Sequence, residues 1–183
     1  MKKFFEIIDI IVSTINQTMA VVGLSLGVLL AFINVILRYA FDMSLTWAAE
    51  LTNYLFIWAA LFGAAYGFKQ GAHISVSLVI EKFPPAVTKG FLIFSNFISI
   101  AYLSLISYFG YELVILLVDF GEMSIDLNIP LWIPHLVLPL AFALAAYRAA
   151  EKLYEVYKTD VGDIKLFNEH EAIIHEIKSQ GDK

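Results

Sequence analysis

Four stretches of this chain carry no charge, and they decide what it can fold into. Positions 10–37, 51–68, 90–111 and 127–147 contain no Asp, Glu, Lys or Arg. About 20 apolar residues, at a rise of about 1.5 Å each, cross the ~30 Å hydrocarbon core of a bilayer. The windows are continuously apolar rather than alternating, so helices are predicted and not the strands of a barrel. Composition agrees: 60% of the 183 residues are hydrophobic and only 16% are charged, against about 25% charged in soluble domains. The fold class predicted is an all-α integral membrane protein with four transmembrane helices, near 14–37, 46–67, 90–112 and 129–148. Together these form one membrane domain, residues 1–158, followed by a short polar cytoplasmic tail, 159–183.

The first window is read as a retained span rather than a signal peptide. Its apolar run is about twice a usual signal core, and it closes in Asn34-Val35-Ile36-Leu37-Arg38 without a small-x-small cleavage site. Orientation follows from the cations. Eleven of the twelve Lys and Arg fall at the N-terminus, in the connection between spans 2 and 3, or after span 4, leaving Arg38 alone on the other side. The positive-inside rule then places both termini in the cytoplasm. Within the connection between spans 2 and 3, residues 74–83 mix large apolar with polar side chains and stop at Pro84-Pro85. An interfacial amphipathic helix is predicted there.

The chemistry that is missing narrows function. Zero cysteines remove disulfides, thiolate metal sites and cysteine nucleophiles. His73 and His135 fall at opposite membrane faces, and His170 and His175 fall in the tail, so no histidine pair is placed to share a haem. No phosphate loop, HExxH motif or Ser-His-Asp set is present. A net charge of −5, without a basic run, excludes nucleic acid as a partner. Neither catalysis nor a cofactor or metal is expected.

What remains is packing. Small residues recur every four positions as Gly23, Gly27 and Ala31 in span 1, Ala59, Gly63 and Gly67 in span 2, and Ala141, Ala145 and Ala149 in span 4. Such stripes let helices approach closely. Asn34, Asn53 and Asn96 are candidates for hydrogen bonds between helices, and Trp47, Trp58 and Trp132 for interfacial belts. Arg38 and Glu50 flank a short outer loop, and a pair between them would clasp spans 1 and 2. Pro139, well inside span 4, is read as a kink rather than a site. A broken, inverted-repeat transport core is not visible. The composition alone describes an accessory membrane subunit, with a stand-alone homo-oligomer or small channel as the alternative.

Three segments carry a resemblance. Asn34-Val-Ile-Leu-Arg38-Tyr39-Ala-Phe41, then Ser44-Leu-Thr-Trp47-Ala-Ala-Glu50-Leu, then Gly63-Ala-Ala-Tyr66-Gly67-Phe-Lys69-Gln-Gly71-Ala-His73-Ile74 resemble the small membrane subunit of tripartite ATP-independent periplasmic (TRAP) transporters. The Ile129-Pro130-Leu-Trp132-Ile-Pro134 entry to the last span is similar as well. The resemblance implies a scaffold subunit of a sodium-driven importer of organic acids, C4-dicarboxylate or sialic-acid-like, in a bacterial or archaeal inner membrane. Its implied partners are a large membrane subunit, a periplasmic solute-binding protein that docks transiently, and the lipid bilayer. Here the small subunit is expected as a chain of its own. Matched residue by residue, Arg38, Asp42, Ser44, Trp47 and Glu50 would form an outer clasp and docking corner. Gly71 and His73 would form the cytoplasmic turn after span 2.

Overall fold

The computed structural model describes residues 2–69 and 84–160. The interfacial helix predicted over 74–83, the turn at Gly71 and His73, and nearly all of the tail lie outside the described residues. Among the described residues there are five helices: α1 Lys2–Ala40, α2 Thr46–Lys69, α3 Pro85–Phe120, α4 Trp132–His135 and α5 Val137–Lys158. Four segments are long and apolar enough to cross a membrane: Asp9–Ala40, Thr46–Gly67, Pro85–Phe120 and Trp132–Lys158. In hydrocarbon every backbone N–H and C=O must be paired within the segment, which is why such runs become helices. The protein is an all-helical, multi-pass membrane protein.

Spans 3 and 4 differ most from the prediction. Helix α3 does not stop at Glu112 but runs on to Phe120. Beyond Glu112 residues 113–118 are all apolar, so the run continues as helix. Gly121, at φ +62°, then ends the helix in the left-handed conformation that suits glycine. Span 4 is not one continuous helix but α4 and α5, joined at Leu136. Pro139 has no N–H to offer the carbonyl of His135, so the ladder breaks there.

The chain forms two compact units: Met1–Tyr66 with Leu105–Leu144, and Gly67–Ser104 with Ala145–Lys183. In the first, Phe62, Val137 and Ala141 are buried, with Trp58, Leu61, Leu138 and Leu144 packed around them. Helices α1 and α2 meet there through the small residues. A side chain built at Gly23 would sit 3.1 Å from the carbonyl oxygen of Leu55 and 3.3 Å from Ala59, and one at Gly27 would sit 2.6 Å from the Phe56 ring. The stripes are thus used inside the chain, except at Gly67, which has nothing within 4 Å.

In the second unit, Lys89 Nζ donates to the carbonyls of Tyr157 at 3.1 Å and Thr159 at 2.7 Å. A cation is favoured at that C-terminal helix end, where carbonyls lack partners. Arg148 is buried and ion-paired with Glu151 at 2.7 Å. Asn96 donates to the carbonyl of Leu92 one turn back in its own helix, rather than to another helix.

A candidate docking corner built on Glu50

The candidate site lies in the first unit, where the α1–α2 loop and the α3–α4 connection converge. Asp42, at φ +53°, turns the chain out of α1. The Oδ1 of Asn34 accepts a hydrogen bond from the Leu45 N–H at 3.1 Å, fixing the approach to α2. Asn34 is therefore a loop clamp. Asn53 is exposed and forms no such contact.

One turn into α2, Glu50 does the equivalent for the other connection. Residues 122–131 form a small hairpin: Ser124 donates to Ile129 and Leu131 to Glu122 through backbone bonds of 2.8 and 2.9 Å, and Asn128 sits at φ +53°. Its turn leaves N–H groups without backbone partners. Glu50 Oε2 accepts from Asp126 N–H at 2.9 Å, from Leu127 N–H at 3.0 Å and from the Ser124 hydroxyl at 3.2 Å. The remaining oxygen, Oε1, accepts from Tyr54 at 2.5 Å. A carboxylate with four donors is well compensated at membrane depth, where an unpartnered one is costly.

The clasp expected between Arg38 and Glu50 is not formed: Arg38 is exposed, and the carboxylate faces the hairpin instead. Asp42, Ser44 and Trp47 are exposed. At the hairpin tip Ile125 is 95% exposed. The corner as a whole therefore presents Arg38, Asp42, Ser44 and Ile125 outward around a tightly bonded centre. Trp58 is turned into the protein. Its indole N–H donates to the carbonyl of Pro134 at 2.9 Å, and its ring lies 5.9 Å from that of Phe62.

Tyr54 was findable in the sequence, since it stands four residues after Glu50 on the same helix face. Ser124, Asp126 and Leu127 were not, because only the folded hairpin brings them to Glu50. Beneath the corner lies an apolar cavity of about 240 Å³ whose walls include Gly23, Leu51, Leu55, Trp58, Ile133 and Pro134. It offers a polar solute no charged partner. No group of three or more His, Cys, Asp or Glu among the described residues is placed to hold a metal.

Residues 27–159 match the family described as tripartite ATP-independent periplasmic transporters, DctQ component. The chain belongs to this family. It is a transporter component, not an enzyme. Among similar proteins, a C4-dicarboxylate TRAP transporter small permease protein DctQ of Rhodobacter capsulatus is 27% identical over 64% of this chain and 52% of its own length. A protein of the same description from Vibrio cholerae is 26% identical over 83% of this chain and 75% of its own. An isethionate TRAP transporter permease protein DctMQ of Oleidesulfovibrio alaskensis is 23% identical over 58% of this chain but only 17% of its own. The chain thus spans about half the length of the Rhodobacter relative.

Proposed function

We propose that this chain is the small scaffold subunit of a sodium-driven transporter that imports an organic acid. Its partners are a large membrane subunit, which carries the solute, and a periplasmic solute-binding protein that docks at the Glu50 corner. Family membership over residues 27–159 carries the reading. The geometry supports it, because the Glu50 carboxylate is committed to holding a loop and the cavity is apolar.

The DctMQ relative supports the large partner, since the matched region is a minor part of a far longer permease chain. The relatives' names point to small organic acids, a C4-dicarboxylate in two cases and isethionate in the third. A stand-alone homo-oligomer would need its small-residue stripes free for self-association, and Gly23, Gly27 and Gly63 all face neighbours within the chain.

The test is uptake of labelled succinate and sialic acid into proteoliposomes holding the complex purified from native membranes. The reading expects uptake of one solute that requires both membrane subunits, the binding protein and an inward sodium gradient. Uptake by this chain alone, or uptake indifferent to sodium, would contradict it.

A further inference from the structure

The hairpin after α3 displays the side chain that apolar burial would hide. Ser124 is 4% exposed, whereas Ile125 beside it is 95% exposed. A slip of one residue would turn Ile125 inward and Ser124 outward, the arrangement the hydrophobic effect favours. Glu50 opposes that slip. Its Oε2 accepts from the Ser124 hydroxyl at 3.2 Å and from the Asp126 N–H at 2.9 Å. One carboxylate thus grips the residue on each side of Ile125. The backbone bonds from Ser124 to Ile129 and from Leu131 to Glu122 hold the same register. A lone apolar residue on a surface is ordinary. One held outward against its own tendency breaks a local rule, and such breaks are expected where a surface has work outside the chain.

The surroundings of Ile125 decide what meets it. Residues 41–45 and 121–131 lie between the spans, at the end of the first unit that Glu50 ties together. The exposed charges there are acidic: Asp42, Asp119, Glu122 and Asp126. Over positions 38–46 and 119–131, Arg38 is the one Lys or Arg. Laying the tip into a bilayer would press Glu122 and Asp126 against lipid phosphates, like charge on like. A permanent seat against another membrane subunit has no use for a rim of solvated carboxylates. A partner that docks and leaves does, because an apolar centre must stand in water between encounters, and a charged rim keeps it soluble. Charge complementarity then calls for a soluble partner with an apolar pocket ringed by Lys or Arg.

We infer that Ile125 is the knob on which the periplasmic solute-binding protein seats, entering an apolar pocket whose basic rim faces Glu122 and Asp126. The inference rests on the docking reading above and adds the anchoring residue and the charge of the partner's face. Glu50 is a positioning residue here: it fixes the tip before the partner arrives, so binding does not have to order the loop.

The test places the photocrosslinker benzoylphenylalanine at Ile125 or, as a control, at Val28 within α1, in the full tagged chain in its native membrane. After irradiation of intact cells the complex is purified in mild detergent. A crosslink from 125, and not from 28, to one soluble solute-binding protein is the expected result. That protein, titrated against the complex in nanodiscs, should bind the Ile125→Ala complex about ten- to sixtyfold more weakly, the effect of three buried carbons. Glu122→Gln combined with Asp126→Asn should slow association about threefold or more, and about 500 mM KCl should slow the wild type likewise. Ile125→Ala should keep the wild-type unfolding midpoint, since its side chain is exposed. Crosslinks from 125 to a polytopic protein or to lipid, or undiminished binding by Ile125→Ala, would overturn the knob and leave the transport reading standing. Uptake by the complex that needs no soluble protein would overturn both.

Discussion

The α1–α2 seam and the Glu50 corner are both in the first unit, and they are held by opposite means. The seam works by absence. Gly23 and Gly27 remove side chains so that Leu55, Phe56 and Ala59 can approach, and cohesion comes from close packing, since lipid tails are as apolar as the helices. The corner works by placing one charge among donors, four hydrogen bonds converging on a single carboxylate. The seam is therefore sensitive to added volume and indifferent to polarity. The corner should respond in the reverse way. One fixes the helix pair and the other fixes the α3–α4 connection against α2.

The sharpest way to break this comparison is at Glu50. Glu50→Leu leaves two N–H groups and two hydroxyls without their acceptor, and should cost about 3–4 kcal/mol in denaturation followed in detergent, given about 1–3 kcal/mol per orphaned group with partial rescue by water. Arg38→Ala at the same corner should change stability by less than about 0.5 kcal/mol. A Glu50→Leu loss no larger than that of Arg38→Ala would end the account of the corner.

Volume is the next lever. Gly23→Val and Gly27→Val should each cost about 1–3 kcal/mol through overpacking. Gly23→Ala should be worse tolerated than its size suggests, because the atom it meets is the Leu55 backbone carbonyl. Gly67→Ala is the matched control: with open space around it, helix propensity should make it neutral or stabilising by up to about 1 kcal/mol. If all three glycines behaved alike, the seam would not be where the contacts put it.

Smaller effects refine the picture. Trp58→Phe keeps the ring and loses the bond to Pro134, for about 1 kcal/mol. Asn16 is fully buried on α1 with neither amide atom hydrogen-bonded. Asn16→Leu should therefore be neutral or stabilising by about 1 kcal/mol in the same unfolding assay. A clear loss there would contradict the reading of this amide as unpaired.

How much of this was legible in the sequence follows from what each feature depends on. The four spans were, because the bilayer requires long apolar runs wherever the chain crosses it. The glycine stripes were too, since a period of four survives in the helix, and only Gly67 departs from the pattern. Charge misled twice in the same manner. Glu112 read as the end of span 3, and Glu50 as the partner of the nearest cation. Helix α3 runs on through Glu112 to Phe120, and the Glu50 carboxylate is satisfied by hydroxyls and backbone N–H groups instead, donors that a count of charges does not see. The hairpin at 122–131 depends on Gly121 and on Asn128 in left-handed conformations, and its meeting with Glu50 spans more than 70 positions. No local pattern carries that.

The most direct test of the central claim is the mass of the complex. The tagged chain, purified in mild detergent from its own membrane, should elute with one large polytopic protein, and native mass spectrometry should show the two in a fixed ratio. A chain that elutes only with further copies of itself would contradict the account.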